Sequence, residues 1–169
     1  MKTIATPEEV RQRGRQIGKI DDSKLQAFIH EVEMNNVRKC IGDKLYIQLT
    51  STEPLSEPLA TLVNGGTYTY EGLDNILVGL KTAISYYVYA QNALTGDFVS
   101  TRYGMRIKED DYSQGITQKD RANIAGSATQ IADAYMRECL DYCKKMGIEI
   151  DNGSSMRITA GCIIRKVNV

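Results

Sequence analysis

The sequence contains little of the chemistry that marks a metal site, a disulfide scaffold or a strongly charged binding surface. Its 169 residues include one histidine and four cysteines, and the basic and acidic residues balance at 21 each, so the formal net charge is zero. A neutral chain has no overall electrostatic attraction to nucleic acid or to an anionic membrane. Functions that depend on a strongly basic or acidic surface are therefore not favoured.

The four cysteines are too few and too scattered to indicate a disulfide-stapled small protein, and no signal-peptide pattern precedes them. They are Cys40, Cys139, Cys143 and Cys162. Cys139 and Cys143 share one face of a predicted helix, but a zinc site needs further ligands and no Cys-x-x-Cys pair occurs. We therefore expect buried apolar thiols in a protein made in a reducing cytosol, with no metal and no cofactor.

Two further absences concern membranes and catalysis. No apolar run reaches the length of about 18 residues that a membrane-spanning helix requires, which predicts a soluble protein without a membrane partner. The sequence has neither the phosphate-binding pattern that ends in Gly-Lys-Ser/Thr nor the Gly-x-Ser-x-Gly pattern of acyl transfer. His30 and Glu33 share a helix face, but a di-metal bundle needs several such pairs, so we interpret His30 as a surface or half-buried side chain. We expect no enzymatic activity.

The sequence does contain enough apolar residues, 42%, to bury one core. Ser23 begins a capping-box pattern before apolar residues at helical spacing, which predicts a helix from about Ser23 to Ile41 with Gly42 as its stop. Asp43 can cap a short amphipathic helix that follows. From Ser51 to Gly72, prolines and glycines predict a connection with one short extended segment.

Two longer helices are predicted in the second half of the chain. Asp74 can cap a helix that Gly96 closes, with Leu73 and Val78 as a hydrophobic staple. Thr117 can cap the last long helix, which ends at Gly147. The apolar stripes that support these helices are Ile76, Leu77, Leu80, Ala83, Ile84, Tyr87, Val88 and Leu94 in the first, and Ile124, Ala128, Ile131, Tyr135, Cys139, Tyr142 and Met146 in the second.

Extended structure is expected between and after these helices. The alternation of Tyr103, Met105 and Ile107 within the segment 97–115 suits a strand or hairpin arm, and the β-branched tail after Asp151 suits a strand that needs a partner from elsewhere. The fold class is therefore mainly α: a small helical bundle of three to five helices with a long loop or β-hairpin arm and a C-terminal strand. We divide the chain into a basic extension (1–20), interpreted as a solvated tail, a helical domain (21–147) and a strand-like tail (148–169).

A candidate interface with other subunits or partners lies on the arm and the tail. Tyrosine and arginine are favoured in interface hot spots, and the arm combines both with apolar side chains. An ordinary exposed hairpin is the alternative interpretation of the arm. The candidate interface residues are Arg102, Tyr103, Met105, Arg106, Lys108, Tyr112, Ile158 and Ile164.

The sequence also resembles a known group of proteins in several stretches. These are Leu25–Glu33, Ile41–Tyr46, Leu62–Tyr68, Gly79–Ala90, Thr101–Gly104, Lys108 and Tyr112–Ser113, within a span from about Ser23 to Met146. In them the chain resembles the phage head–tail connector proteins, also called adaptor or head-completion proteins. It is more closely similar to a structural-protein family of phages and prophages of gut Bacteroidetes, including crAss-like phages.

The resemblance implies a structural virion protein made in the host cytoplasm. Such a subunit forms a homo-oligomeric ring, of about a dozen copies by family resemblance, between the portal protein and the downstream tail or ring proteins, with DNA only as passing cargo. The alternative function is a small helical nucleic-acid-binding or regulatory module that uses Arg11, Arg13, Arg15 and the Tyr103 loop on phosphates and bases.

Overall fold

The fold is mainly helical, as the sequence predicted, with two-stranded antiparallel sheets between and after the helices. It is known from a computed structural model of the chain. The residues described are 2–18, 20–51, 54–95, 98–101, 104–107, 117–151, 157–159 and 162–164.

The N-terminal residues belong to the packed domain, so their interpretation as a solvated basic tail is wrong. Helix α1 (Pro7–Arg13) begins at a capping box in which the Thr6 side chain and Glu9 satisfy each other's backbone amides. Ile4, Ala5 and Val10 are buried in the main apolar core. The apolar residues of this segment are spaced among basic ones, which explains why composition suggested a tail.

The predicted helix over about residues 23–41 is confirmed, with a local change of winding, but the capping box at Ser23 is wrong because the N-cap is Asp21 and Ser23 lies inside the helix. Helix α2 (Asp22–Val32) runs through a π turn (Glu33–Val37) into α3 (Arg38–Ile41), and the chain stops at Gly42. The buried residues Val32 and Val37 are five positions apart, which a regular helix of 3.6 residues per turn would place on different faces. The π turn absorbs the extra residue and returns Val37 and Ile41 to the core face.

The middle of the chain contains one helix that we did not predict. Helix α4 (Asp43–Ser51) was expected, but the following connection holds α5 (Glu57–Asn64), with Pro58 in its first turn and Leu59, Leu62 and Val63 buried. Proline is compatible with the first turn of a helix, so Pro58 marks its start and not a break.

A β-hairpin replaces the expected start of the central helix. Strand β1 (Gly66–Tyr70) pairs with β2 (Leu73–Leu77) around the two-residue loop Glu71–Gly72, whose φ angles are 52° and 78°. Two positive φ angles are typical of the type I′ turn that suits the twist of paired strands. Asp74 is therefore a strand residue. The predictions that Asp74 caps a helix and that Leu73 forms a hydrophobic staple are both wrong.

Two antiparallel helices form the centre of the domain. Helix α6 (Leu80–Thr95) packs along α7 (Gln118–Lys145), and Thr117 caps α7 as predicted, its side chain accepting the backbone amide of Asp120. The apolar stripe of α6 is confirmed from Leu80 to Val88. On α7 the buried face is displaced from the predicted stripe, since Ile131 is only half-buried. The fully or largely buried α7 residues are Ala125, Ala128, Ala132, Asp133, Met136, Cys139, Tyr142 and Cys143.

Two more hairpins complete the described structure. Strand β3 (Phe98–Thr101) pairs with β4 (Gly104–Ile107), which confirms a hairpin arm between α6 and α7. In the tail, β5 (Arg157–Thr159) pairs with β6 (Cys162–Ile164). The expectation of one long C-terminal strand with a partner from elsewhere is therefore wrong, because the tail turns back and pairs with itself.

Candidate functional site

The candidate interface residues are distributed between the two late hairpins. Met105 and Arg106 lie on β4, Ile158 on β5 and Ile164 on β6. The register pairs Ile158 with Ile163 and Ile164 with Arg157, so the two isoleucine positions belong to successive pairs of the ladder. The other predicted positions, Arg102, Tyr103, Lys108 and Tyr112, lie outside the described residues. The role of all eight residues in an interface stays a prediction.

The hairpin β1–β2 displays apolar side chains that the sequence analysis had assigned to the core. Ile76 is 81% exposed and Leu73 is 70% exposed. Ile76 pairs with Thr67 and Leu73 with Tyr70, and positions 73 and 76 face opposite sides of the two-stranded sheet. Burial of these two side chains against another molecule would be favourable, since each exposes most of its apolar surface to water. This hairpin is the candidate functional site.

The base of this hairpin is a close contact between two backbones. Gly65 ends α5 and Gly79 precedes α6, with φ angles of +79° and +89°. A Cβ on Gly79 would lie 2.3 Å from the backbone nitrogen of Gly65, and a Cβ on Gly65 would lie 2.4 Å from the Val78 carbonyl oxygen. Left-handed φ and contact with backbone together exclude a side chain at either position. The hairpin therefore leaves the bundle through a tightly packed joint.

The inner face of the hairpin is fixed to the C-terminal end of α7. The rings of Tyr68 and Tyr142 meet edge to face with centroids 4.8 Å apart, and the Tyr142 hydroxyl donates to the Pro58 carbonyl oxygen at 3.0 Å. Lys145 Nζ lies 5.7 Å from the Tyr68 centroid and 5.4 Å from the Tyr70 centroid. These aromatic and cation–π contacts hold the ribbon against α7 while its tip stays exposed.

The arginines of the alternative nucleic-acid hypothesis make contacts within the chain. Arg11 pairs with Asp22 at 2.7 Å, and Arg13 Nη1 donates to the Asn64 carbonyl oxygen at 2.8 Å. The guanidinium of Arg15 lies 6.0 Å from the Tyr86 centroid and 5.6 Å from that of Tyr89. Through these contacts the three arginines join the N-terminal segment to the rest of the domain.

The most buried carboxylate of the described chain is Glu33, in the π turn. Its Oε1 accepts the backbone amides of Ile4 at 2.9 Å and Ala5 at 3.0 Å, and its Oε2 accepts the Tyr46 hydroxyl at 2.8 Å. Burial raises the pKa of Glu33 above its ordinary value, although these three donors oppose that change. Burial, and then the Glu33 carboxylate, also raise the pKa of the Tyr46 hydroxyl. Glu33 therefore holds the N-terminal segment by its backbone.

A second polar contact holds the same segment near its other end. Lys81 Nζ, only 14% exposed in its side chain, donates to Glu9 Oε1 at 2.6 Å and to Asn64 Oδ1 at 2.9 Å. The other oxygen of Glu9 accepts the Thr6 backbone amide at 3.0 Å. Partial burial raises the pKa of Glu9, but the hydrogen bonds from Lys81 and Thr6 outweigh burial and leave that pKa below its ordinary value.

The contact between α6 and α7 includes another buried carboxylate. The Tyr87 hydroxyl donates to Asp133 Oδ1 at 2.5 Å, and burial followed by this hydrogen bond raises the pKa of Tyr87. Burial, with a smaller contribution from the Asp133 charge, raises the pKa of the Cys40 thiol to about 11, and burial raises that of the Cys139 thiol to about 12. Tyr87 and Asp133 therefore join the two central helices.

Sequence reasoning missed Glu33, Lys81 and Asp133, and it placed Glu33 only in a fragment of a metal-binding pattern. Their partners include backbone amides and residues up to 72 positions away, so no local motif marks them. His30 is exposed, in line with its interpretation as a surface side chain. The described residues contain no group of three or more histidine, cysteine, aspartate or glutamate side chains that could hold a metal ion. Within that same part of the chain, no helix is both long and apolar enough to cross a membrane.

The fold and the exposed hairpin together define a small, mainly α protein with β-hairpin arms. Over residues 37–146 the chain matches the model of DUF6712, a family of unknown function, and it therefore belongs to that family. The matched range covers α3 to α7 and includes both the β1–β2 and the β3–β4 hairpins. No curated protein and no solved structure matches the chain.

Proposed function

We propose that this chain is a structural virion protein, a connector subunit that assembles with copies of itself into a ring between the portal and the tail. The observation that carries the proposal is the β1–β2 hairpin, with Leu73 and Ile76 exposed on opposite faces. Leu73 lies near the exposed tip and Ile76 on the face turned away from α7, so a neighbouring subunit that packs on the tip and outer face would cover both. The resemblance of several stretches to phage connector proteins supports the same role.

The attachment of the hairpin also supports an assembly role. The Gly65–Gly79 contact and the Tyr68–Tyr142 ring pair fix the ribbon before any partner binds. A preformed binding element loses little conformational entropy on association, so more of the contact free energy appears as affinity. The β3–β4 arm and the tail hairpin would provide further contacts, through the eight candidate interface residues.

The zero net charge is compatible with a ring through which DNA passes as cargo. Each stable contact between a basic side chain and a phosphate would add salt-dependent binding free energy, which would slow the passage of the DNA. The alternative, a nucleic-acid-binding module, needs basic side chains that face outward, whereas Arg11, Arg13 and Arg15 are engaged with Asp22, Asn64 and the Tyr86–Tyr89 pair. We therefore rank it second.

The test is ring formation by hairpin variants in the presence of the portal protein, measured by native mass spectrometry and negative-stain imaging. Leu73→Ser and Ile76→Ser should each leave the fold intact and reduce the fraction of chain in closed rings at least tenfold. Ile47→Ser is the matched control, since Ile47 is 55% exposed on α4, away from the hairpin.

Two results would contradict the proposal. The parent chain could remain monomeric with the portal present, or both hairpin variants could assemble as well as the parent. DNA binding that weakens steeply with salt, in a chain that forms no rings, would favour the nucleic-acid-binding alternative instead.

A further inference from the structure

The N-terminal strap, defined as residues 3–13, lies across the bundle and is attached to it at both ends. Near its N-terminal end Glu33 accepts the amides of Ile4 and Ala5, in the first turn of α1 Lys81 donates to Glu9, and at the far end Arg13 donates to the Asn64 carbonyl oxygen. The strap also buries the side chains of Ile4, Ala5 and Val10 in the core. Attachment thus depends on a few buried side chains, on the Glu33 and Lys81 contacts, and on the contacts of Arg11 with Asp22 and of Arg13 with Asn64.

The strap has little structure that could persist without the bundle. Its helix, α1, has seven residues, and isolated helices of that length are not stable in water. Ile4 and Ala5, in the bend before α1, have their amides satisfied by a side chain of another element, Glu33, and not by a neighbouring strand. Loss of docking therefore implies loss of the structure of the strap itself.

Glu9 connects the two attachments physically. One of its oxygens accepts Lys81 Nζ, and the other accepts the Thr6 amide that fixes the start of α1. Thr6 directly follows Ala5, whose amide Glu33 holds. We therefore expect that removal of the Lys81 ammonium weakens the Glu9–Thr6 hydrogen bond and, through the neighbouring residue, the hydrogen bond between the Ala5 amide and Glu33.

We propose that the N-terminal strap opens and closes as one cooperative unit, independently of the helical bundle. Opening uncovers Glu33 and Lys81, two ionisable groups that the closed strap shields from solvent. The strap thus controls the exposure of Glu33 and Lys81: both side chains are covered when the strap is docked and exposed when it is open. The proposal does not depend on the assembly role of the β1–β2 hairpin.

The test is residue-resolved amide hydrogen exchange, measured by NMR on the full chain, with one variant at each end of the strap. Lys81→Met keeps the aliphatic stem and removes the ammonium. It should accelerate exchange of the Ile4 and Ala5 amides, at the distant end, at least tenfold. Glu33→Gln should accelerate exchange of the Val10 and Gly14 amides, which donate to Thr6 and Val10 in and after α1, by a similar factor.

The control is Lys44→Met, which makes the same substitution in an exposed ion pair with Glu149, a residue outside the strap. It should leave every strap amide unchanged. Acceleration confined to the amides next to each substitution would overturn the proposal, because the two attachments would then be independent. Equal acceleration in the interior of α6 and α7 would also overturn it, because the strap would open only when the whole domain unfolds.

Discussion

At the scale of single residues, Glu33 combines deep burial with full use of its oxygen atoms. A buried carboxylate is costly unless hydrogen bonds replace its hydration, and two backbone amides and one hydroxyl do so here. Desolvation still outweighs these donors, so the pKa lies above its ordinary value of 4.5. The folded chain therefore keeps a proton on Glu33 at pH values where the unfolded chain has released it.

This difference in proton binding makes a testable contribution to stability. Between pH 4.5 and the higher folded pKa, the folded state binds more protons, so the contribution of Glu33 is fully present below pH 4.5 and declines as the pH rises. Each tenfold difference in proton affinity corresponds to about 1.4 kcal/mol. Urea unfolding of the parent and Glu33→Gln across this range should show a free-energy difference that favours the parent progressively less with rising pH.

A difference that instead grows as the pH rises would mean that the folded chain stabilises the charged carboxylate. The hydrogen bonds from Ile4, Ala5 and Tyr46 would then outweigh burial. The burial of Glu33 and its role in holding the N-terminal segment could not be predicted from sequence, because its partners are mostly backbone amides 28 and 29 residues earlier in the chain.

At the scale of elements, the joint between α5, the β1–β2 hairpin and α6 depends on two glycines in contact. Gly79→Ala would place a methyl group 2.3 Å from the Gly65 nitrogen at a φ of +89°. Left-handed strain alone costs about 1–3 kcal/mol, and backbone would have to move as well. We therefore expect a loss of at least about 2 kcal/mol in the free energy of unfolding, measured by chemical denaturation.

Gly126→Ala is the matched control for that substitution. Gly126 lies within α7, and a Cβ there would meet nothing within 4 Å. The same added methyl group should stabilise the protein by about 1 kcal/mol, the difference in helix propensity between alanine and glycine. Similar changes in the free energy of unfolding for Gly79→Ala and Gly126→Ala would show that the Gly65–Gly79 contact does not exclude a side chain.

Elements with a strong repeating pattern were predictable from the sequence, and those defined by turn chemistry were not. The spacing from Leu25 to Val32 and the Thr117 cap located α2 and α7 correctly. The Asp74 cap failed because Glu71–Gly72 forms a hairpin turn, which makes the apolar residues at 73 and 76 part of an exposed strand. The signals for α5 were present at Pro58 and Leu59, but proline was interpreted as a loop residue.

At the scale of the whole molecule, α6 and α7 form the centre on which the other elements pack. Leu80 is fully buried at the start of α6, and Ile131 is half-buried on α7. Leu80→Ala should therefore cost about 2–5 kcal/mol in the free energy of unfolding. Ile131→Ala should cost clearly less, because the lost side chain was already in part exposed to water.

Thermal or urea unfolding of both variants measures these costs on the same scale. An effect below about 0.5 kcal/mol at Leu80 would be that of a surface position, and it would contradict the central place of α6 in the core. The function could not be predicted to the same depth as the fold, because the candidate site is an exposed apolar hairpin and not a set of catalytic side chains.

The length of α7 has a consequence for how the protein could connect its partners. A helix of 28 residues is about 42 Å long. The β1–β2 hairpin packs at its C-terminal end through Tyr142 and Lys145, whereas the β3–β4 hairpin precedes its N-terminal end. Under the proposed assembly role, a partner bound at the β1–β2 hairpin would therefore lie about 42 Å from the N-terminal end of α7.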